Sequence, residues 1–253
     1  MAIIGVTFPV LDQLDYLDEA LTSLEAIMLD SEHDLALVVV DNGSKGDVVE
    51  VVERHKWLIE NCQVGFIYHR KNEGVGRAWN EGIEACMALG ADAIAVCNTD
   101  IVFGPMVLDH CYEALGLGAF DLVFPATYRQ GGPMPLDFCA HATEAAQRPV
   151  DGDSCVITGG FAGWCFMVST ECIQTHGLFD AEYRFWYQDT DYHHRLVSAA
   201  RPPAEIQACC VHHYESKTIK SLPGAFSYKG DDATSWRSQD QQRFEQKWRQ
   251  PKT

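Results

Sequence analysis

The sequence predicts an α/β protein whose mostly parallel sheet carries helices on both faces. Two observations lead there. Short, almost wholly apolar runs such as Leu35–Val40 read as strands buried on both sides, as parallel strands are. Between them apolar residues recur at helical spacing, so that four strands alternate with three helices in the first hundred residues. That alternation is the pattern of right-handed βαβ units in a doubly wound sheet.

Each element follows from its pattern. Ala2–Phe8 is a first strand, and Leu14, Leu17, Leu21, Leu24 and Met28 repeat along one face of a helix. Leu35–Val40 stops at Asp41-Asn42-Gly43-Ser44; a helix over Val48 to Ile59 and a strand over Val64–His69 follow. Lys71 to Gly82 is a glycine-bearing turn opening a helix continued by Ile83, Met87 and Leu89. Strand, turn and helix N-terminus together make a candidate phosphate cradle, with Asn72 and Gly76 inside it. Ile94–Phe103 is a buried strand running into Asn98-Thr99-Asp100. A helix from Pro105 to Leu117 and a strand at Leu122–Pro125 precede Thr127–Asp153, which has no clean period and reads as an irregular lobe. Cys155–Val168 is strand-like but broken by glycines, a hint of close backbone approach to a ligand. Ser169 or Thr170 caps a short helix ending before Gly177. The aromatic run Tyr183, Phe185, Trp186, Tyr187 leads to Gln188-Asp189-Thr190-Asp191 at a helix N-terminus, where the dipole favours negative charge. Val211-His212-His213 closes a last short strand, and Ser235–Arg249 is a C-terminal helix.

With 253 residues, 47% of them hydrophobic, the chain can build one sizeable core, and one domain over 1–253 is expected. Its nucleotide-binding half covers 1–104, an acceptor and catalytic half 105–215, and a helical tail 216–253. The net charge of −17 argues against nucleic acid as a partner, because that binding rests on clustered Lys and Arg. Lys229, Arg237, Arg243, Lys247 and Arg249 make only the C-terminal part basic. The N-terminus reads as a strand rather than a signal peptide, and no apolar run approaches a membrane span. The ten cysteines form no Cys-x-x-Cys pair and sit mostly in apolar runs, as buried thiols of a cytoplasmic protein would.

Asp100 is the first candidate site residue. Ligands of open α/β sheets bind outside the carboxyl ends of the strands, where a carboxylate can hold a cation against nucleotide phosphates. The competing assignment is a cap for the helix near Pro105.

The ordered series resembles the family-2 glycosyltransferases. It comprises Val39-Val40-Asp41-Asn42-Gly43-Ser44, Asn72-Glu73-Gly74 with Asn80-Glu81-Gly82, Asn98-Thr99-Asp100, the Gly159–Val168 strand, and Gly177-Leu178-Phe179-Asp180. Gln188-Asp189-Thr190-Asp191 with Arg195, His212/His213, and Phe244-Glu245-Gln246-Lys247-Trp248 complete it. The resemblance implies the GT-A fold, a Rossmann-like sheet with a smaller acceptor-side lobe. It further implies inverting, metal-dependent transfer of a sugar from a UDP- or dTDP-sugar to an acceptor hydroxyl, most simply on a glycan. On that resemblance Asp41 would take the N3–H of uracil or thymine, with the main chain at Thr7 and Phe8 lining the same pocket. Asp100, with His212 or His213, would hold Mn²⁺ or Mg²⁺. Asn98 stands where the first carboxylate of an Asp-x-Asp pair is expected, and its amide can still reach ribose or a metal-bound water. Asp189 matches the general base; Asp191 would support it or orient the sugar, and Arg195 would pair with one of the two. Gln188 replaces an acid before the base. Trp164, Trp186 and Tyr187 are candidates for a sugar-stacking wall. The rival readings are a non-catalytic nucleotide- or glycan-binding relative and a sugar-1-phosphate nucleotidyltransferase. The latter wants a basic glycine-rich turn after the first strand, where this chain has Phe8-Pro9-Val10-Leu11-Asp12.

Overall fold

Uninterrupted runs of Val, Ile and Leu form the strands, and helices follow wherever apolar residues recur every three or four positions. The computed structural model describes residues 1–128, 131–214 and 233–249. Its first half runs β1 (Ile3–Val10), α1 (Leu14–Met28), β2 (Asp34–Asp41), α2 (Val48–Arg54), α3 (Lys56–Asn61), β3 (Gln63–Tyr68), α4 (Val75–Ala88), β4 (Ala93–Cys97) and β5 (Ile101–Phe103). The second half adds α5 (Val107–Gly116), β6 (Leu122–Thr127), α6 (Phe138–Ala145), β7 (Cys155–Ile157), β8 (Cys165–Ser169), α7 (Thr170–His176), α8 (Gln188–Ser198), β9 (Ala204–His213) and α9 (Ala233–Lys247).

The strands form one sheet in the order β3-β2-β1-β4-β8-β6-β9-β5, with β7 also on β9. β1 to β4 are mutually parallel, and β8 enters antiparallel to both β4 and β6. β9 runs parallel to β6, whereas β5 and β7 oppose β9. One apolar layer joins Ile4, Val6, Phe8 and Val10 of β1 to α1, α2 and α5. The other joins Val38, Val40, Ile94 and Val96 to α4, α7 and α8. Helices therefore cover both faces, as expected.

Several boundaries differ from the sequence pattern. The helix expected over Val48 to Ile59 breaks at His55, which is buried and binds Glu25 Oε2 through Nδ1 at 3.1 Å, so a tertiary contact ends α2. Ile94–Phe103 is two strands: after Cys97 the chain turns through Asn98–Asp100 and re-enters at β5, on the far side of β9. Cys155–Val168 likewise divides into β7 and β8. The lobe at Thr127–Asp153 contains α6, whose Phe138 and Ala142 pack on Val102, Cys210 and Tyr214. β9 begins at Ala204, well before Val211. Ser169 is the cap of α7, its Oγ accepting from the Cys172 N–H at 3.0 Å.

Helix α4 lies close on β1 because a glycine on each element faces a side chain of the other. A Cβ on Gly5 would come within 2.7 Å of Cys86 Cβ, and one on Gly82 within 2.9 Å of Thr7 Cβ. Gly82→Ala is therefore expected to lower stability by about 1–3 kcal/mol through overpacking. Urea unfolding measures it as a lower midpoint with an unchanged slope.

Candidate active site

Strands that end together leave their loops together, and here that edge is concave. A cavity of about 300 Å³ is lined by Pro9, Val10 and Leu11 after β1, Asn42 after β2, Asn72 and Val75 after β3, and Asn98, Thr99 and Asp100 after β4. Because β8 is antiparallel to β4, with Cys97 opposite Cys165, the residues entering β8 arrive at the same edge, and Gly163 and Trp164 join the lining. Phe185 to Asp189 and His213 complete it.

Pairing of Ile101 with His213 sets the acid beside the imidazole. His213 Nε2 lies 3.4 Å from Asp100 Oδ1, and both His213 ring nitrogens are buried without a hydrogen-bond partner among the described residues. Trp164 stacks on the His213 ring, centroids 4.8 Å apart, and its carbonyl accepts the Asn98 N–H at 2.8 Å. Strand alternation turns His212 to the opposite face, where it is fully buried against Phe138 and Tyr214 with Nδ1 3.3 Å from the Tyr128 carbonyl. Of the two histidines named as metal ligands, the fold brings only His213 to Asp100.

Asp41 closes β2 as a buried carboxylate just outside the cavity lining, its Oδ1 accepting from Gly43 N–H at 3.2 Å and Ser44 N–H at 2.8 Å. Its neighbour Asn42 reaches the cavity and donates through Nδ2 to Asn72 Oδ1 at 3.1 Å. Behind them His69 bridges Asn42 Oδ1 at 2.9 Å and Glu81 Oε2 at 2.5 Å. Burial alone would raise the Glu81 carboxyl, but hydrogen bonds from Arg77 and His69 bring it below its ordinary value.

Thr7 and Phe8 are not at the lining. Thr7 faces Gly82, Phe8 packs in the core 6.4 Å from the Phe103 ring, and the chain reaches the cavity only at Pro9. The α4 N-terminus is no open phosphate cradle either: the Val75 N–H donates to the Arg184 carbonyl at 3.1 Å, and Gly76 lies under Tyr183.

Asp189 lines the cavity, whereas Asp191 does not, since residues two apart on a helix project to different faces. Burial raises the Asp189 carboxyl above its ordinary value, against the opposing hydrogen bonds from the Thr190 N–H and hydroxyl. Gly163 permits the approach: a Cβ there would sit 2.8 Å from Asp189 Oδ2. Asp191 is fully buried and accepts from Arg195 at 3.1 Å, Lys247 at 3.0 Å and Trp248 Nε1 at 2.8 Å. Asp191 therefore sits behind the lining, where it ties the C-terminal helix to α8. Arg195 pairs with Asp191 and also donates to the carbonyls of His176 and Leu178.

Two lining residues with buried, unpartnered polar atoms carried no expectation as ligand-facing groups. Trp79 Nε1 and Gln188 Oε1 are buried and lack hydrogen-bond partners among the described residues. The signal in the sequence was only an aromatic and an amide inside otherwise patterned helix starts. Of the basic C-terminal residues, Arg243 pairs with Asp180 at 3.6 Å and Arg237 lies over the Trp186 ring; Lys229 lies outside the described residues.

A second cluster lies away from the cleft. Ligand atoms of Asp121, Cys172 and His176 fall within 4.8 Å of one another. Asp121 is already neutralised by Arg201, which donates to both its oxygens, and burial pushes the Cys172 thiol up to about 12, so that cluster is an ion pair beside a protonated thiol. All ten cysteines are free.

A Rossmann-like sheet with an acidic cleft at its carboxyl edge is the framework of enzymes that handle nucleotides. Residues 6–166, more than half of the chain, match the model of glycosyl transferase family 2, and the chain belongs to that family. Its fold is GT-A. A mannosyltransferase from Pyrobaculum calidifontis, solved in complex with GDP-Man and Mn²⁺, superposes with a TM-score of 0.64 at 15% identity, covering 99% of this chain and 65% of that one. GalNAc-T7 with UDP, GalNAc and Mn²⁺ gives 0.66 at 11% identity over 84% and 43%, respectively. S. aureus TarS with UDP-GlcNAc gives 0.60 at 12% identity over 87% and 61%. The chain thus spans less than two thirds of each of these structures. No curated protein sequence matches it. No helix among the described residues is long and apolar enough to cross a membrane.

The anchoring of Asp191 has a measurable consequence. Asp191→Ala leaves Arg195 and Lys247 without their shared buried carboxylate and is expected to cost roughly 3 kcal/mol, as breaking a buried ion pair does. Thermal or urea unfolding reads that loss directly.

Proposed function

We propose that the protein transfers a sugar, with inversion, from a UDP- or dTDP-sugar to an acceptor hydroxyl in a reaction dependent on Mn²⁺ or Mg²⁺. The observation that carries this reading is the meeting of Asp100, His213 and Asp189 around one cavity. Three residues remote in sequence there supply a candidate metal pair and a candidate base.

The residues fit the cation. His213 has two buried, unpartnered ring nitrogens beside a carboxylate oxygen, and an imidazole–carboxylate donor set suits Mn²⁺ at least as well as Mg²⁺. Asp100 and His213 would hold the ion, with Asn98 close by in the lining. Bound there, it would supply positive charge to stabilise the departing diphosphate. Asp41 would accept the base N–H, and a base without that donor would leave a buried carboxylate oxygen unpaired. Asn42 and Asn72 would face the nucleoside. Trp79 Nε1–H and Gln188 Oε1 would find their missing partners in sugar hydroxyls, and Trp164 would close the wall. Asp189 would take the acceptor proton as the new bond to the anomeric carbon forms.

The direct test incubates the protein with UDP-, dTDP- and GDP-sugars under Mn²⁺, Mg²⁺ or EDTA and follows free nucleoside diphosphate. No release from any donor, together with no nucleotide binding by calorimetry, would sink the proposal. Two sharper outcomes are expected. Asp189→Asn should lower kcat by about 10²–10⁴-fold while nucleotide affinity holds. In the unmodified protein, kcat/KM should fall toward acid pH through a pKa above the ordinary ~3.9 of Asp, since only the deprotonated carboxylate can act. For the metal, Asp100→Ala or His213→Ala should weaken Mn²⁺ binding by more than the roughly 10–100-fold typical of losing an outer-shell partner. His212→Phe, on the opposite strand face, should leave Mn²⁺ affinity unchanged in the same titration.

A further inference from the structure

Arg184 to Asp189 form the acceptor-side wall: Phe185, Trp186, Tyr187, Gln188 and Asp189 all line the cavity. A wall of irregular chain needs partners for its backbone N–H groups. Three consecutive ones point at a single side chain from the far end of the sequence. Asp240 of α9, 3% exposed, accepts from the Arg184 N–H at 3.3 Å through Oδ1, and from the Phe185 and Trp186 N–H groups at 3.1 and 3.0 Å through Oδ2. Successive N–H groups converging on an anion form a nest. The next residue, Tyr187, is left-handed at φ 70° and forms the N-cap of α8 without a side-chain cap bond, so the nest sets the angle at which Gln188 and Asp189 enter the helix.

The same face of α9 repeats the grip. Arg237 lies over the Trp186 ring at 5.1 Å, and Phe244 packs on Tyr187 at 5.3 Å. Lys247 reaches Asp180 at 2.9 Å. Spaced three, four and three residues apart, Arg237, Asp240, Phe244 and Lys247 share one helical stripe.

We propose that Asp240 is a positioning residue for sugar transfer: its carboxylate, delivered by α9, holds the Arg184–Trp186 backbone and thereby aims Asp189 at the acceptor. The role demands a carboxylate. Both oxygens are used and all three partners are donors, so an amide would offer one oxygen and turn its own N–H₂ against an N–H. The proposal rests on the transferase reading for its kinetic part; the tie itself is independent of it.

The test compares Asp240→Ala and the milder Asp240→Asn with Gln241→Ala, an exposed neighbour whose amide donates to Glu245. Hydrogen exchange is read at amides 184–190, and turnover is read as nucleoside diphosphate release from the best donor in Mn²⁺ with water as the acceptor. Asp240→Ala is expected to strip protection from 184–186 and lower kcat roughly 10- to 100-fold, the scale of misplacing a catalytic group by an ångström, with donor KM held. Asp240→Asn should fall between it and the unmodified protein, and it decides the matter should the alanine variant not fold. Gln241→Ala should change neither readout. Unchanged exchange at 184–186, or a raised donor KM with kcat intact, overturns the proposal. Absence of turnover together with no nucleotide binding in the unmodified protein would defeat the transferase reading, while exchange would still decide whether Asp240 holds the loop.

Discussion

Backbone hydrogen bonding within a parallel sheet ends at a shared edge, and the cleft of this protein is arranged around that ending. β1, β2, β3 and β4 stop together, and each releases a loop whose N–H and C=O groups need new partners. Asp41 takes two of the N–H groups after β2, and Asn42 and Asn72 lock the loops after β2 and β3 to each other. The antiparallel entry of β8 brings Trp164 to the edge, where its carbonyl satisfies Asn98. A cleft results from satisfying these groups with side chains rather than closing the sheet further.

Close approach makes the cleft narrow enough to use. Gly5 and Gly82 leave room for the Cys86 and Thr7 side chains between α4 and β1, and Gly163 lets the loop before β8 pass beside Asp189. In both places a single methyl group would push apart elements that the site needs together. The core behind them is dense, with Trp79 edge-on to Phe166 and Phe179. The cavity floor is therefore closely packed while its rim is built from loops.

The electrostatics of the rim follow a consistent plan. Asp100 and Asp189 place negative charge inside the cleft, a field that attracts cations before any base or sugar is read. Three half-buried or buried acids outside the cleft are paired with basic side chains: Asp191 with Arg195 and Lys247, Asp180 with Lys247 and Arg243, Asp121 with Arg201.

The amino-acid pattern by itself determined the alternation of strands and helices, the burial of the sheet on both faces, and the positions of Asp41, Asp100 and Asp189 at element ends. These are local properties, written in periods of two and 3.6 and in the turn chemistry that stops a strand. It did not distinguish His212 from His213, and it did not show that Asp189 reaches the cleft while Asp191 turns away from it. Each of those choices depends on which face of a strand or helix meets the cleft, and that is settled by packing against β5 and α9. The open cradle expected at the α4 N-terminus was lost for the same reason, because Arg184 arrives from more than a hundred residues away to take its N–H. Asp240 was invisible in the sequence as one more acid on a polar helix. Only the tertiary fold brings three amide hydrogens to it, since convergence of remote backbone groups leaves no period to read.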